Sequence, residues 1–215
     1  MASKIEDNLA TLLLHYPDLD SCIESLQLAY NLIQSSYDAG GKILLCGNGG
    51  SASDCEHIVG ELMKSFEAKR PINHELRQRL EDIDPEQGLY LAEHLQRPLP
   101  ALSLTSQAAL MTAISNDVAS DMVFAQQVLG YGKPEDTLIG ISTSGNSSNV
   151  LHALRVAKAM GLKTVGFTGE SGGQMRELCD AIICAPSNQT ATIQERHLAM
   201  YHALCRMLEQ TLIAD

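Results

Sequence analysis

Lys42-Ile43-Leu44-Leu45-Cys46-Gly47-Asn48-Gly49-Gly50-Ser51 decides the fold. The apolar run Ile43 to Cys46 has no polar alternation, as expected of a strand buried on both faces of a parallel sheet. Glycines stop the strand, and Ser51 to Phe66 then carry helical periodicity. The same alternation continues downstream. Strand-like runs lie at Ala101–Leu104, Thr137–Ser142, Thr164–Thr168 and Ala181–Ala185, with helical stretches at Ser106–Ile114, Ser147–Met160 and Gly173–Leu178 between them. Strands alternating with helices predict an α/β fold, a three-layer sandwich around a central parallel five-stranded sheet.

Upstream, Ile5 to Tyr37 is helical in period and broken at Pro17-Asp18, which predicts two helices with Asp18 or Asp20 opening the second. They form an N-terminal helical arm over about residues 1–38. At the other end, Ala191 to Leu212 reads as one long amphipathic helix suited to packing against another subunit. Between Pro71 and Pro98 a charged segment, with two short helical pieces split at Asp84-Pro85, reads as an insertion over about residues 72–97 in a single domain spanning 1–215.

Composition narrows the function. The 15 Lys and Arg against 26 Asp and Glu give a net charge of −11, and there is no basic run, so a broad cationic footprint for nucleic acid is absent. No apolar run approaches the ~20 residues that cross a bilayer, so no membrane role is expected. The N-terminus carries acids early and does not read as a secretory signal. Six scattered cysteines form no CxxC pair, which with the preceding points predicts a reducing, cytoplasmic setting. An acidic protein that holds an anion must do so locally, with oriented amides and hydroxyls.

Two strand ends offer such groups. Asn48-Gly49-Gly50-Ser51 matches neither the dinucleotide nor the nucleoside-triphosphate loop, so no nucleotide cofactor is expected. Its glycines admit a ligand close to the backbone, although a plain capped turn uses the same residues. Ser142-Thr143-Ser144-Gly145-Asn146-Ser147 places four hydroxyls before a helix, where a cap needs one. Ligands of open α/β sheets bind beyond the carboxyl ends of the strands, so both turns suit one site. His57 and Glu61 stand one helical turn apart, a spacing that serves metal ligation, acid–base chemistry or a surface ion pair alike. In the last helix Gln194 and His202 fall within about 80° of each other, whereas His197 points about 140° away from His202. Gln194 and His202 are therefore the functional candidates, and His197 is read as a core or interface residue.

Together, GNGGS with His57 and Glu61, ISTSGNS, and IQExH with a second histidine resemble the phosphoheptose isomerases of the SIS (sugar isomerase) domain superfamily. The resemblance covers about Ser35 to Leu208 apart from the insertion. It implies a homotetramer, with active sites near subunit interfaces, that converts sedoheptulose 7-phosphate to D-glycero-D-manno-heptose 7-phosphate, the entry to nucleotide-heptose synthesis. It implies substrate contacts from Asn48, Gly49, Gly50, Ser51, Asn116, Asp117, Ser142, Thr143, Ser144, Ser147 and Gln194. Zinc, one per active site, would be held by His57, Glu61, Gln194 and His202, with Glu61 as catalytic base and His202 as acid.

Two features depart from the pattern. The family commonly has Asp-Arg before IQE, where this chain has Ala191-Thr192, and the insertion follows the helix of His57 and Glu61. Both bear on which sugar phosphate is used. The rival readings are an isomerase of another sugar phosphate and a non-catalytic SIS-domain protein that binds the replication initiator. Retention of His57, Glu61, Gln194 and His202 together favours an enzyme. A sugar-phosphate-sensing regulator fits poorly, for want of a DNA-binding appendage.

Overall fold

The computed structural model describes residues 2–213. In chain order it contains α1 (Ala2–His15), α2 (Ile23–Asp38), β1 (Ile43–Gly47), α3 (Gly50–Met63), α4 (His74–Ile83), α5 (Pro85–His94), β2 (Ala101–Ser103), α6 (Ala108–Asp117), α7 (Val123–Tyr131), β3 (Thr137–Ile141), α8 (Ser148–Ala159), β4 (Lys163–Gly169), β5 (Ala181–Ala185) and α9 (Thr190–Leu212). The five strands are parallel in the order β2-β1-β3-β4-β5, as expected.

Burial on both faces explains the unbroken apolar strands. In β1, Ile43 and Leu45 join one core with α1, α2, α3 and α9, while Leu44 and Cys46 join another with α7 and α8. Each fully buried Leu or Ile contributes about 1.5–3 kcal/mol relative to an exposed one. β3 repeats the pattern, with Ile139 and Ile141 on the first side and Leu138 on the second. α9 lies in the first core through Met200, Ala203, Leu204, Met207 and Leu208.

Two local expectations are corrected and one helix is added. The second N-terminal helix opens at Ile23, because Asp18 and Asp20 belong to a 3-10 turn over Pro17–Cys22. Pro17 suits the first position of such a turn, and the turn buries Leu19 and Cys22. The stretch after Gly172 is likewise a 3-10 turn, Gly173–Glu177, rather than a helix reaching Leu178. α7, which the sequence did not reveal, covers the second face through Phe124 and Val128.

The charged segment is a helical hairpin. Asn73 caps α4 by accepting from Leu76 N, and Asp84 caps α5 by accepting from Glu86 N and Gln87 N. The two helices pack chiefly on each other. They meet at Gly88, where a Cβ would fall 2.1 Å from Leu80 O, so only glycine permits the crossing. An isolated bridge between Pro71 and Gln96 closes the base.

Candidate active site

β2 lies on one side of β1 and β3 on the other, so consecutive crossovers diverge at the β1–β3 gap. Such a switch point is where open α/β sheets bind ligands. Gly47 pairs with Ile141 in register, which brings the Asn48–Ser51 and Ser142–Ser147 turns out side by side. They are tied through Asn48 and Asn149, whose side-chain amides exchange two hydrogen bonds of 2.9 Å.

The second turn gathers its serine hydroxyls. Ser142 is buried, with Oγ 2.9 Å from Ser147 Oγ and 3.5 Å from Ser144 Oγ. Ser147 is the N-cap residue of α8 yet makes no side-chain capping bond. Its hydroxyl faces the turn instead; Val150 N donates to Asn149 Oδ1 at 3.0 Å, while the N–H groups of Ser148 and Asn149 have no side-chain acceptor, an arrangement suited to an anion. Thr143 and Ser144 line a cavity of about 480 Å³ with Gly169, Glu170 and Ser187.

The first turn leads into α3, whose head meets α9. A Cβ on Gly50 would fall 2.3 Å from Gln194 Nε2, so the missing side chain makes room for that amide. Further along α3, His57 Nε2 lies 3.2 Å from Glu61 Oε1 and 3.4 Å from His202 Nε2. Glu61 Oε2 accepts from Lys64 Nζ at 3.2 Å. The structure thus brings His57, Glu61 and His202 into contact and sets Gln194 beside Gly50. Burial, with the nearby charges of His57 and Arg206, pushes the His202 imidazole below its ordinary value, against the opposing pull of Glu61 and Glu67. His202 also lines a cavity of about 430 Å³ with His15, Tyr16 and Arg206.

A buried ion pair fixes the two helices relative to each other. Arg70 Nε donates to Glu209 Oε1 at 2.7 Å, with both side chains fully buried. Arg70 also donates to Leu62 O and Glu61 O at the end of α3. Glu209, on α9, accepts from the backbone N–H groups of Phe66, Glu67 and Ala68. Burial alone would push its carboxyl up, but these donors and Arg70 together hold it below the usual carboxylate range.

Asn116 and Asp117 are exposed at the end of α6 and joined to each other by a 2.8 Å bond, with no hydrogen bond to another candidate residue. His197 is a core residue, fully buried, donating from Nε2 to Thr168 O at 3.1 Å. Burial lowers its pKa to about 4.

Comparison with known proteins adds the family. The SIS domain model matches residues 19–80 and 88–169, breaking at the turn between α4 and α5. A phosphoheptose isomerase of Rhodospirillum rubrum is 39% identical over 194 residues, covering 90% of this chain and 89% of the relative. The chain belongs to the phosphoheptose isomerase family of SIS-domain proteins. The solved phosphoheptose isomerase of Neisseria gonorrhoeae superposes with a TM-score of 0.71 at 30% identity, covering 96% of this chain and 98% of that one. That of Francisella tularensis gives 0.75 at 29% identity, with 98% of each chain covered.

Against that family background, two residues at the site escaped the sequence reading. Asp54 and Tyr201 contact each other beside His57, the tyrosine hydroxyl lying 2.9 Å from His57 Nδ1 and 3.3 Å from Asp54 Oδ1. Burial pushes Asp54 up, opposed by the Tyr201 hydrogen bond and His57. Burial, reinforced by the charge of Asp54, keeps the Tyr201 phenol protonated. The available signal was Asp54 three residues before His57, hence on the same helical face.

Proposed function

We propose that this chain is an aldose–ketose isomerase that converts sedoheptulose 7-phosphate to D-glycero-D-manno-heptose 7-phosphate, the first step toward a nucleotide-activated heptose. The observation that carries the reading is the meeting of His57 and Glu61 on α3 with His202 on α9. Moving a carbonyl from C2 to C1 removes a proton from C1, passes through an enediol and returns a proton at C2. Glu61 takes the first proton and His202, from the facing helix, serves the other end of the enediol as acid. Ser142, Thr143, Ser144 and Ser147 bind the phosphate, with Ser51 nearby. Asn48, Gly49, Gly50 and Gln194 meet the sugar, as do Asn116 and Asp117.

Zinc fits the donor set. Among the described residues no group of three or more His, Cys, Asp or Glu forms a ready cation cage. The spacing of the donors is nonetheless suitable. Ligands on a tetrahedral zinc with bonds of ~2.0–2.1 Å stand about 3.3–3.4 Å apart, and His57 Nε2 lies 3.2 Å and 3.4 Å from its two neighbours. His57, Glu61 and His202 would hold the ion, with Gln194 as the fourth ligand. Bound there, zinc would act as a Lewis acid toward the carbonyl oxygen. A carboxylate held tightly by a metal would be a weaker base, so the roles of Glu61 as base and as ligand would compete.

Assembly as a homotetramer is part of the same reading. It is supported by membership of the phosphoheptose isomerase family. A cytoplasmic setting is supported by six free cysteines and by a fold whose described helices include none long and apolar enough to cross a membrane. The test is a coupled assay with sedoheptulose 7-phosphate, with and without added zinc. Turnover by the wild type is expected. A folded tetramer that turns over nothing in either condition would move the reading to another sugar phosphate.

A further inference from the structure

His57 has a neighbour on each ring nitrogen. Nε2 faces Glu61 and His202, while Nδ1 lies 2.9 Å from the hydroxyl of Tyr201, which in turn lies 3.3 Å from Asp54 Oδ1. Asp54 and His57 come from α3 and Tyr201 from α9, so the chain of contacts spans the two helices that carry the candidate chemistry. Asp54 Oδ2 is buried without a hydrogen-bond partner, and Tyr201 is the donor that reaches Oδ1.

A phenol has one proton, and here two groups compete for it. An ionised carboxylate only accepts, whereas Nδ1 of a neutral imidazole either accepts or donates. Donation to a charged acceptor is about twice as strong as donation to a neutral one. Without the phenol proton, neither oxygen of Asp54 would have a donor, and Oδ2 is buried, which is costly. Glu61, by contrast, keeps Lys64 as a partner whatever His57 does. The tyrosine proton therefore goes to Asp54, and Nδ1 donates to the phenol oxygen. The single proton of the neutral imidazole is then used up on that side.

We propose that Tyr201, anchored by Asp54, is a positioning residue that fixes His57 as the Nδ1–H tautomer and leaves the Nε2 lone pair facing Glu61 and His202. The bare Nε2 and Glu61 Oε1, 3.2 Å apart, form a pair of acceptors open to a cation, while Lys64 Nζ meets the carboxylate charge at Oε2. Partners on the outer nitrogen of a metal-binding imidazole orient such ligands and raise their basicity. The value of this arrangement to a zinc ion rests on the functional reading above, but the tautomer itself does not.

The experiment is magic-angle-spinning 15N NMR of the full chain labelled at histidine, metal-free and at a pH where the ring is neutral. The His57 signals are assigned by difference from His57→Gln. The wild type is expected to show a protonated Nδ1 and bare Nε2. Tyr201→Phe, which removes only the hydroxyl, should shift the ring toward the Nε2–H form. Asp54→Asn, which removes the charge that draws the phenol proton, should shift it the same way. A wild-type His57 protonated at Nε2, or a tautomer unmoved in both variants, would overturn the proposal. Zinc affinity, read by competition with a chromophoric chelator, should fall about 10–100-fold in Tyr201→Phe. Unchanged zinc affinity would refute the tautomer's role in ligation. Absence of zinc binding by the wild type, with the expected tautomers, would refute the zinc reading alone and leave the positioning role standing.

Discussion

Glu209→Gln is the perturbation whose cost the structure specifies best. The carboxylate distributes four donors over two oxygens. Oε1 takes Phe66 N at 2.9 Å and Arg70 Nε at 2.7 Å, and Oε2 takes Glu67 N at 2.9 Å and Ala68 N at 3.0 Å. A glutamine keeps the shape but offers one accepting oxygen, so its NH2 group must confront N–H donors head-on, and Arg70 is left charged in the core. Breaking a buried pair in this way costs about 3–5 kcal/mol. With a urea slope of about 2–3 kcal/mol/M, the midpoint should drop by about 1–2 M, measured at fixed protein concentration because assembly contributes to apparent stability. The acid limb supplies a second check. A carboxyl held low in the fold contributes stability that is present above its unfolded value of about 4.3 and is lost as pH falls through its folded value. The gap between wild type and variant should therefore narrow in acid. Replacing the pair by Arg70→Met with Glu209→Leu should not restore stability, since three backbone N–H groups lose their acceptor at about 1–3 kcal/mol each. A single variant within ~0.3 M urea of wild type, or a double variant equal to it, would refute this account of how α3 is held to α9.

Three further outcomes are expected. His197 is fully buried with its pKa lowered from 6.5 to about 4, so the fold loses about 3 kcal/mol at this residue as pH falls across that window, and His197→Gln should flatten that part of the urea midpoint against pH. A variant as acid-sensitive as wild type between those limits would contradict it. Gly50→Ala should leave the unfolding free energy within about 1 kcal/mol of wild type but cut turnover at least about tenfold, equivalent to about 1.4 kcal/mol in the barrier, because the new Cβ displaces the Gln194 amide; unchanged kcat would remove Gln194 from the site. Ser147→Ala should raise KM for the sugar phosphate with little change in kcat, and an unaltered KM would count against the hydroxyl turn as the phosphate site.

The sheet was legible because burial on both faces leaves an unbroken apolar run, and β5 falls at the residues read from sequence. The two ligand turns were legible for a related reason, since hydroxyls and glycines at a strand end exceed what capping needs. His197 was separable from His202 by helical angle alone, and its burial agrees. α7 was hidden because Val123–Tyr131 is apolar nearly all round, which erases the periodicity that marks a helix. The start of α2 was misplaced because acids near a proline suit a 3-10 turn as well as a helix cap. Asp54 was hinted at only by its spacing from His57, and Tyr201, Arg70 and Glu209 were invisible because each acts through a partner between 8 and 147 residues away. No local pattern announces a pairing that only the packing of α9 on α3 creates.

The central claim is proton transfer between C1 and C2 by groups on α3 and α9, and 1H NMR of sedoheptulose 7-phosphate incubated with the protein in D2O tests it most directly. The wild type should form the aldose and incorporate solvent deuterium at the reacting carbons, and Glu61→Gln, folded and assembled, should do neither. Conversion by Glu61→Gln at the wild-type rate, or conversion by the wild type with no deuterium incorporated, would contradict it.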